Sequence, residues 1–349
     1  MLGRYGRLLK YTPLLLVVYI LYISRRQQLF ERFLANSSIE FSDFPPVYAD
    51  ALVDAQKENK NPDYKWPKLA NPPPEEQTTI PPNIHFIWFP NLYHEHLDVS
   101  QIPAIGSDAP RLCREHNPDY NIWTWNETAS RQLLEDHYSW FIPTYDAYRY
   151  PIQRVDAIKY FVLYHYGGVY MDLDIACRRP LDPLLPFPAW YPKATPFGVN
   201  NDLMATRARH PLTLLQLKQL TPRNKNLLFP YLTIFWSTGP QFTSDLLKMW
   251  YFAPWGGQSR EYIPGTSKEN SDPDTVYCLP LPFYSEQYTF FGHSPGGTWH
   301  GDDVKVVLWL VDHPLFFGII PVGVFVVFMS ALRLRRKRGN SGVEGGKLN

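Results

Sequence analysis

What this chain lacks most plainly is a charge imbalance. Its 34 Lys and Arg stand against 33 Asp and Glu, so a net charge of +1 offers no long-range field for nucleic acid or an acidic partner. Cysteine is scarce as well. Cys113, Cys177 and Cys278 show no CxxC spacing, which argues against a zinc site and allows at most one disulfide with one thiol left over. No repeat of fixed period and no long low-complexity tract occurs, which excludes a solenoid. The D-x-D-x-D-G loop of a calcium-binding module is missing too. What the chain has in plenty is proline, 34 residues, and aromatic side chains, 16% of the total. That balance fits a loop-rich globular protein better than a helical bundle. With 349 residues, 45% of them hydrophobic, the chain can bury one large core or two small ones.

Uncharged runs occupy both ends. Tyr11 to Ser24 (YTPLLLVVYILYIS) is flanked by Lys10 and by Arg25 and Arg26. It is short against the roughly 20 residues a bilayer core needs, so it reads either as a short snorkelling anchor or as a signal-peptide core, although no small-residue cleavage site follows. Leu315 to Leu332 is 18 uncharged residues followed by Arg333, Arg335, Arg336, Lys337 and Arg338. Positive-inside logic places that basic tail in the cytoplasm, and Arg4, Arg7 and Lys10 favour the same side for the N-terminus. The expected layout is then a cytoplasmic tail and anchor over 1–34, a Pro- and Asn-rich stem over 35–79, a lumenal domain over 80–303, a transmembrane segment over 304–334 and a basic tail over 335–349. Asn36 (NSS) and Asn126 (NET) are glycosylation acceptors that suit a lumenal middle.

Within the middle, IPPNIHFIWFP at 80–90 and NIWTWN at 121–126 read as strands, while 128–139 and 151–166 read as helices. Strands alternating with helices predict an α/β domain with a mainly parallel sheet, whose ligands gather at the carboxyl ends of strands. Gly167-Gly168 ends the second helix, and VYMDLDI follows as an apolar strand carrying Asp172 and Asp174. Two carboxylates on a buried strand lose hydration and need something positive to meet them. Alternation along a strand would point them the same way, as a pair able to hold a hard divalent cation and, through it, a diphosphate. Asp156 and Lys159 share a helical face, either as a solvated ion pair or as part of the same site. A metal-dependent phosphohydrolase would also use paired aspartates, but with more ligands nearby than His165 and Cys177 supply. A non-enzymatic scaffold would have no use for acids in an apolar strand.

The block RVDAIKYFVLYHYGGVYMDLD followed by IACRRPLDPLL resembles the signature of the DXD-containing sugar transferases of glycosyltransferase family 32. The similarity extends over about 80–300 and takes in IPPNIHFIWFP, HNPDYNIWTWN, NNDLMATRARHPL, STGP and GHSPGGTWHGDD. Within that family the two uncharged ends and GGTWHGDD look most like the fungal catalytic subunits that mannosylate inositol phosphorylceramide. The Golgi initiating α-1,6-mannosyltransferases that act on protein N-glycans are the alternative. The resemblance implies a GT-A fold, GDP-mannose as donor with Mn2+ or Mg2+, and a retaining reaction. It also implies a lipid acceptor at a Golgi or endoplasmic reticulum membrane, a membrane-bound regulatory subunit, and no nucleic acid. It assigns Asp172 to donor sugar or ribose and to the metal. Asp174 falls to the metal and diphosphate, and Asp156 to sugar hydroxyls. Lys159 stands where many relatives have arginine. Trp88 would support the base. Asn201 and Asp202 would face donor or acceptor, and Thr238-Gly239-Pro240 the pocket wall. Thr298 and Trp299 would close over the diphosphate, with His293 or His300 as a further metal ligand. His210-Pro211 starts a helix.

Overall fold

The computed structural model describes residues 12–44, 46, 49–50, 53–54, 79–89, 108–253, 273–284, 290–294 and 302–312. They divide into two compact units, one within 1–228 and 232–297 and the other within 229–231 and 298–349. The larger unit begins with α1 (Thr12–Asn36), β1 (Asn83–Ile87), α2 (Ala109–His116) and β2 (Asn121–Trp125). It continues through α3 (Glu127–His137), α4 (Ile142–Asp146), α5 (Pro151–Tyr166), β3 (Gly168–Met171), β4 (Ile175–Cys177), β5 (Ala189–Pro192) and β6 (Leu203–Thr206). After α6 (Pro211–Arg223), α7 (Pro230–Ser237) and α8 (Pro240–Phe252) come β7 (Tyr277–Leu279), α9 (Leu281–Tyr284) and β8 (Phe291–His293). In the smaller unit lies α10 (Asp302–Asp312), where the Asp303 carboxylate accepts from the Tyr231 amide at 2.8 Å.

Six strands form a sheet in the order β2-β1-β3-β6-β5-β7, and β4 pairs with β8 in a separate ribbon. The contacts β2–β1–β3 and β5–β7 are parallel, while β6 runs against both β3 and β5. The predicted α/β class with a mainly parallel sheet is therefore what forms. Strand alternation sorts the core into two layers. Ile84, Phe86, Val169, Met171, Leu203 and Ala205 face one, with Cys113, Cys177 and Phe291. Tyr170 and Met204 face the other, against Ile158, Phe161, Leu217 and Phe242 from α5, α6 and α8.

α5 is apolar almost all round, as a helix packed on every side must be, and residues 155–163 are buried without a break. Pro151 opens it, the Tyr150 amide donates to Gln153 Oε1 at 3.0 Å, and Gly167 closes it at φ +66°. A Cβ on Gly167 would lie 2.6 Å from the Ala208 nitrogen, and one on Gly168 (φ +116°) 2.5 Å from the Asn83 carbonyl oxygen. Only glycines let the chain leave α5 and lie straight down beside β1.

One observation concerns the N-terminal edge of the domain. Order starts earlier than Ile80. Phe30 and Leu34 of α1 are fully buried, Glu31 pairs with Lys193 at 2.6 Å, and Ile39 donates to the Cys278 carbonyl at 2.9 Å. The polar-looking stretch RRQQLFERFLAN is thus an amphipathic docking segment, while Leu15–Ile23 of the same helix stay exposed. No described helix is long and apolar enough to cross a membrane. The run 315–332 lies outside the described residues, as do most of the stem and the basic tail.

Candidate active site

Asp172 and Asp174 do not sit on a strand, as expected, but on the turn that joins β3 to β4. The Ile175 amide donates to the Asp172 carbonyl at 3.0 Å, and the Ser294 amide donates to the Asp174 carbonyl at 2.7 Å. The pleat ends at Met171 because β3 must give way to the β4–β8 ribbon, in which Ile175 pairs with His293. A disulfide between Cys113 and Cys177 pins the end of β4 to α2, and Cys278 remains a buried free thiol. This is the one bridge that three cysteines allow.

Beneath the turn lies a buried ion network. Lys159 Nζ is 2.7 Å from Asp156 Oδ1 and 3.1 Å from Asp172 Oδ1. The pair on α5 is no solvated surface bridge, since Asp156 and Lys159 are 5% and 3% exposed. Burial alone would lower the Lys159 pKa, but Asp156, Asp172 and the Tyr170 phenol outweigh it and hold the ammonium well above its ordinary range. Thr238 Oγ1 donates to Asp156 Oδ2 at 3.1 Å, and Tyr170 donates to Asp172 Oδ1 at 2.5 Å. Burial and the adjacent Asp172 keep that phenol protonated. Both of these donors to Asp172 reach Oδ1.

A third carboxylate completes the cluster. The antiparallel register pairs Met171 with Leu203, so the two residues just beyond them, Asp172 and Asp202, meet across the strand ends. The Asp172 amide donates to the Asp202 carbonyl at 2.7 Å. Asp202 Oδ2 accepts from the Tyr284 hydroxyl and, at 2.7 Å, from Asn200 Nδ2. Oδ1 of Asp202 and Oδ1 of Asp174 are both buried with no hydrogen-bond partner among the described residues. Burial, then the charge of Asp172, pushes the Asp174 carboxyl up to about 6 and that of Asp202 up to about 7. Two enclosed, unpartnered carboxylate oxygens beside a third acid are hard donors that suit a divalent cation. Among the described residues no three His, Cys, Asp or Glu side chains already converge as a ligand set.

The remaining expected residues are placed as follows. Trp88 lies one residue past β1, at the same sheet edge as Asp172, with its amide donating to the Trp125 carbonyl at 2.8 Å. Asn201 is buried, and its Nδ2 turns inward to the Thr238 carbonyl at 3.3 Å and the Tyr160 hydroxyl at 3.4 Å. His293 comes close to the cluster on β8. Its Nε2 donates to the Tyr284 carbonyl at 2.6 Å, so that nitrogen is spent on orienting the ring. His210 caps α6, its Nδ1 accepting from the Leu212 amide at 3.2 Å, as expected for a helix start. Thr298, Trp299 and His300 lie outside the described residues. Sequence reading gave no site role to Tyr170 or Tyr284 and no carboxylate role to Asp202. The signal for Asp202 was an acid placed just before an apolar run, the mirror image of an acid placed just after one.

Comparison with known proteins adds four findings. Residues 106–190 match the glycosyltransferase sugar-binding region containing the DXD motif. A mannosyl phosphorylinositol ceramide synthase of Saccharomyces cerevisiae is 39% identical over 227 residues, 65% of this chain and 56% of the relative. Inositol phosphoceramide mannosyltransferase 1 of Schizosaccharomyces pombe is 34% identical over 278 residues, 76% of this chain and 78% of the relative. The chain thus spans little more than half the length of the budding-yeast protein and over three quarters of the fission-yeast one. Among solved structures, the PaToxG glycosyltransferase aligns at 18% identity over 49% of this chain and 69% of that chain, with a TM-score of 0.37.

Proposed function

Because this chain belongs to the DXD-containing glycosyltransferases, we propose that it transfers mannose from GDP-mannose to inositol phosphorylceramide, with retention of configuration. The observation that carries the chemical part is the acid cluster at the end of β3, with three carboxylates, one buried ammonium and two unpartnered oxygens. The lipid acceptor rests on the relatives' printed activities.

In this reading the glycosidic carbon exchanges its bond to the diphosphate oxygen for one to an inositol hydroxyl oxygen. GDP leaves, and the acceptor hydroxyl loses its proton. Asp172 and Asp174 would hold Mn2+ or Mg2+, and Asp202 lies within the same neighbourhood. When bound, the ion would neutralise charge on the departing diphosphate. The protein's own work is positional. Lys159 and Tyr170 fix one oxygen of Asp172, Thr238 and Lys159 hold both oxygens of the buried Asp156, and in this reading Asp156 would serve the sugar hydroxyls. Lys159 presents one compact charge where arginine would present a fork. Trp88 would support the base from the neighbouring strand, and Thr298, Trp299, His293 and His300 would close over the diphosphate.

We place the domain in the Golgi lumen, as a GT-A fold held by membrane anchors and accompanied by a regulatory subunit. The Cys113–Cys177 disulfide supports an oxidising compartment. Asn36 and Asn126 are both exposed, and Asn126 caps α3 through Oδ1 alone (2.8 Å from the Ala129 amide), which leaves Nδ2 for a glycan. The test is incubation of membranes carrying the full chain with radiolabelled GDP-mannose, with and without inositol phosphorylceramide. Label should enter a lipid product only when that lipid is supplied. Label entering protein N-glycans instead would replace this reading with the α-1,6-mannosyltransferase one.

A further inference from the structure

At the opposite edge of the sheet, where β3 begins rather than ends, a cleft of about 810 Å³ opens between the C-terminal ends of α3 and α5 and the face of α6. Its polar lining is cationic or neutral. His137 ends α3, Tyr138 follows it, Tyr164 and His165 end α5, Arg209 stands on the turn before α6, and Lys218 projects from α6. Among the described residues no carboxylate lines it. The two imidazoles face each other with ring centroids 4.4 Å apart, and the Tyr138 hydroxyl bonds His165 Nδ1 at 3.0 Å. Among the described residues neither Arg209 nor Lys218 forms an ion pair, although the chain as a whole is charge-balanced.

The helix ends do not consume these cations. The Tyr138 amide closes on the Leu134 carbonyl at 2.8 Å, Gly167 on Leu163 at 2.9 Å, and Arg209 on Tyr164 at 2.8 Å. The last bond holds Arg209 at φ +56°, an αL backbone that a non-glycine residue adopts only when its surroundings require it. Trp140 adds an exposed aromatic wall. An anion would supply the counter-charge that Arg209 and Lys218 lack among the described residues, and charge-assisted hydrogen bonds from guanidinium and ammonium, beside imidazole and phenol groups, suit phosphate oxygens. We propose that this cleft binds a phosphate-bearing anion at a second site, separate from the D-x-D turn. The ligand is either a soluble phosphate compound or a phospholipid headgroup.

The test uses the full chain in detergent and in phosphatidylcholine bilayers with or without phosphatidylinositol. The Cε1–H resonances of His137 and His165 are followed as inorganic phosphate is added in detergent, and compared between the two bilayers. Both resonances should shift together, and in the detergent titration saturably. Lys218→Gln should weaken the response about tenfold, the loss of one charge-assisted contact, and Arg209→Gln likewise. Basal sugar transfer should stay unchanged in both variants. Saturation by inorganic phosphate assigns a soluble ligand, while a response only to phosphatidylinositol bilayers assigns a headgroup. A linear shift without saturation in detergent and no difference between bilayers, or a wild-type response in Lys218→Gln, overturns the site. Lys218 lies on the exposed face of α6, so its replacement does not disturb folding.

Discussion

Replacing Lys159 by methionine tests the ion network directly, because methionine keeps the apolar stem and removes only the charge. Lys159 is the counterion of Asp156 at 2.7 Å and of Asp172 at 3.1 Å. Asp172 is 35% exposed and can take up water in compensation, whereas the Asp156 side chain is 7% exposed and keeps only the Thr238 hydroxyl. The deficit therefore falls on Asp156. Breaking a buried pair by removing one partner costs about 3–5 kcal/mol. For a domain of this size that lowers the melting temperature on the order of 10 °C. Urea unfolding followed by tryptophan fluorescence measures it. Adding Asp156→Asn should recover about 2 kcal/mol or more, because the stranded charge is gone. The deficit should also shrink from pH 7 to pH 5, since without its counterion the buried Asp156 carboxyl titrates above the unfolded value and takes up a proton on folding. A Lys159→Met protein within about 1 kcal/mol of wild type, or a double variant as unstable as the sum of its parts, would refute the network as the support of this site.

Asp174→Asn should abolish sugar transfer at saturating Mn2+ yet raise the melting temperature at neutral pH. It removes a carboxyl held near 6, worth about 1–2 kcal/mol once solvent screening is allowed for; transfer assays and melts at pH 5 and 7.5 decide, and the advantage should be smaller at the lower value. The raised pKa values of Asp174, about 6, and Asp202, about 7, mean that the folded apo protein binds more protons than the unfolded chain. Their contribution to stability therefore falls as pH rises from about 4 to 7, and Mn2+ should expel protons on binding. Calorimetry in buffers of different ionisation enthalpy would show this, and binding heats independent of buffer would contradict it. Cys113→Ser opens a loop spanning a sequence separation of 64 and should cost up to about 4 kcal/mol in urea unfolding, with a wild-type midpoint counting against the bridge. Peptide-N-glycosidase should sharpen the band of wild type and leave Asn126→Gln less shifted, and no shift in either would remove the support for a lumenal domain.

The parts legible in the sequence were those written in local patterns. α5, the glycine pair that ends it, and strands β1 and β2 all follow from periodicity and from residues with few conformational options. Asp156 and Lys159 could be put on one face from their spacing, but not beneath Asp172, because that contact depends on how α5 packs under β3. The D-x-D pair illustrates the limit. Apolar flanks on both sides made a continuous strand the natural reading, yet Met171 and Ile175 belong to different sheets, and only the long-range pairing of Ile175 with His293 reveals the turn between them. Asp202 was reachable only through the β3–β6 register. The packing of α1 was not legible because Arg25, Arg26, Arg32 and Glu31 mask the buried stripe of Phe30 and Leu34. Glu31 is balanced by Lys193, far along the chain, and no local reading supplies that partner.

The acids at the strand end are unusual in how little is done to neutralise them. Among the described residues Asp156, Asp172, Asp174 and Asp202 face a single ammonium, and two of them already share it. The other side-chain donors are neutral: the Thr238 hydroxyl, the Asn200 amide and two phenols. Tyr170 serves Asp172 and Tyr284 serves Asp202, and burial keeps both phenols protonated far past neutrality. A phenol fixes a carboxylate's direction without cancelling its charge, where lysine or arginine would do both. Such a site holds its geometry in the apo protein while keeping negative charge in reserve, at the cost of raised pKa values and two unpartnered buried oxygens. An apolar replacement would stabilise the fold more, since buried carboxylates lacking a counterion contribute nothing favourable. Among the described residues the arrangement suits the proposed completion of the cluster from outside by a cation, with neutral donors rather than further basic side chains around the D-x-D turn.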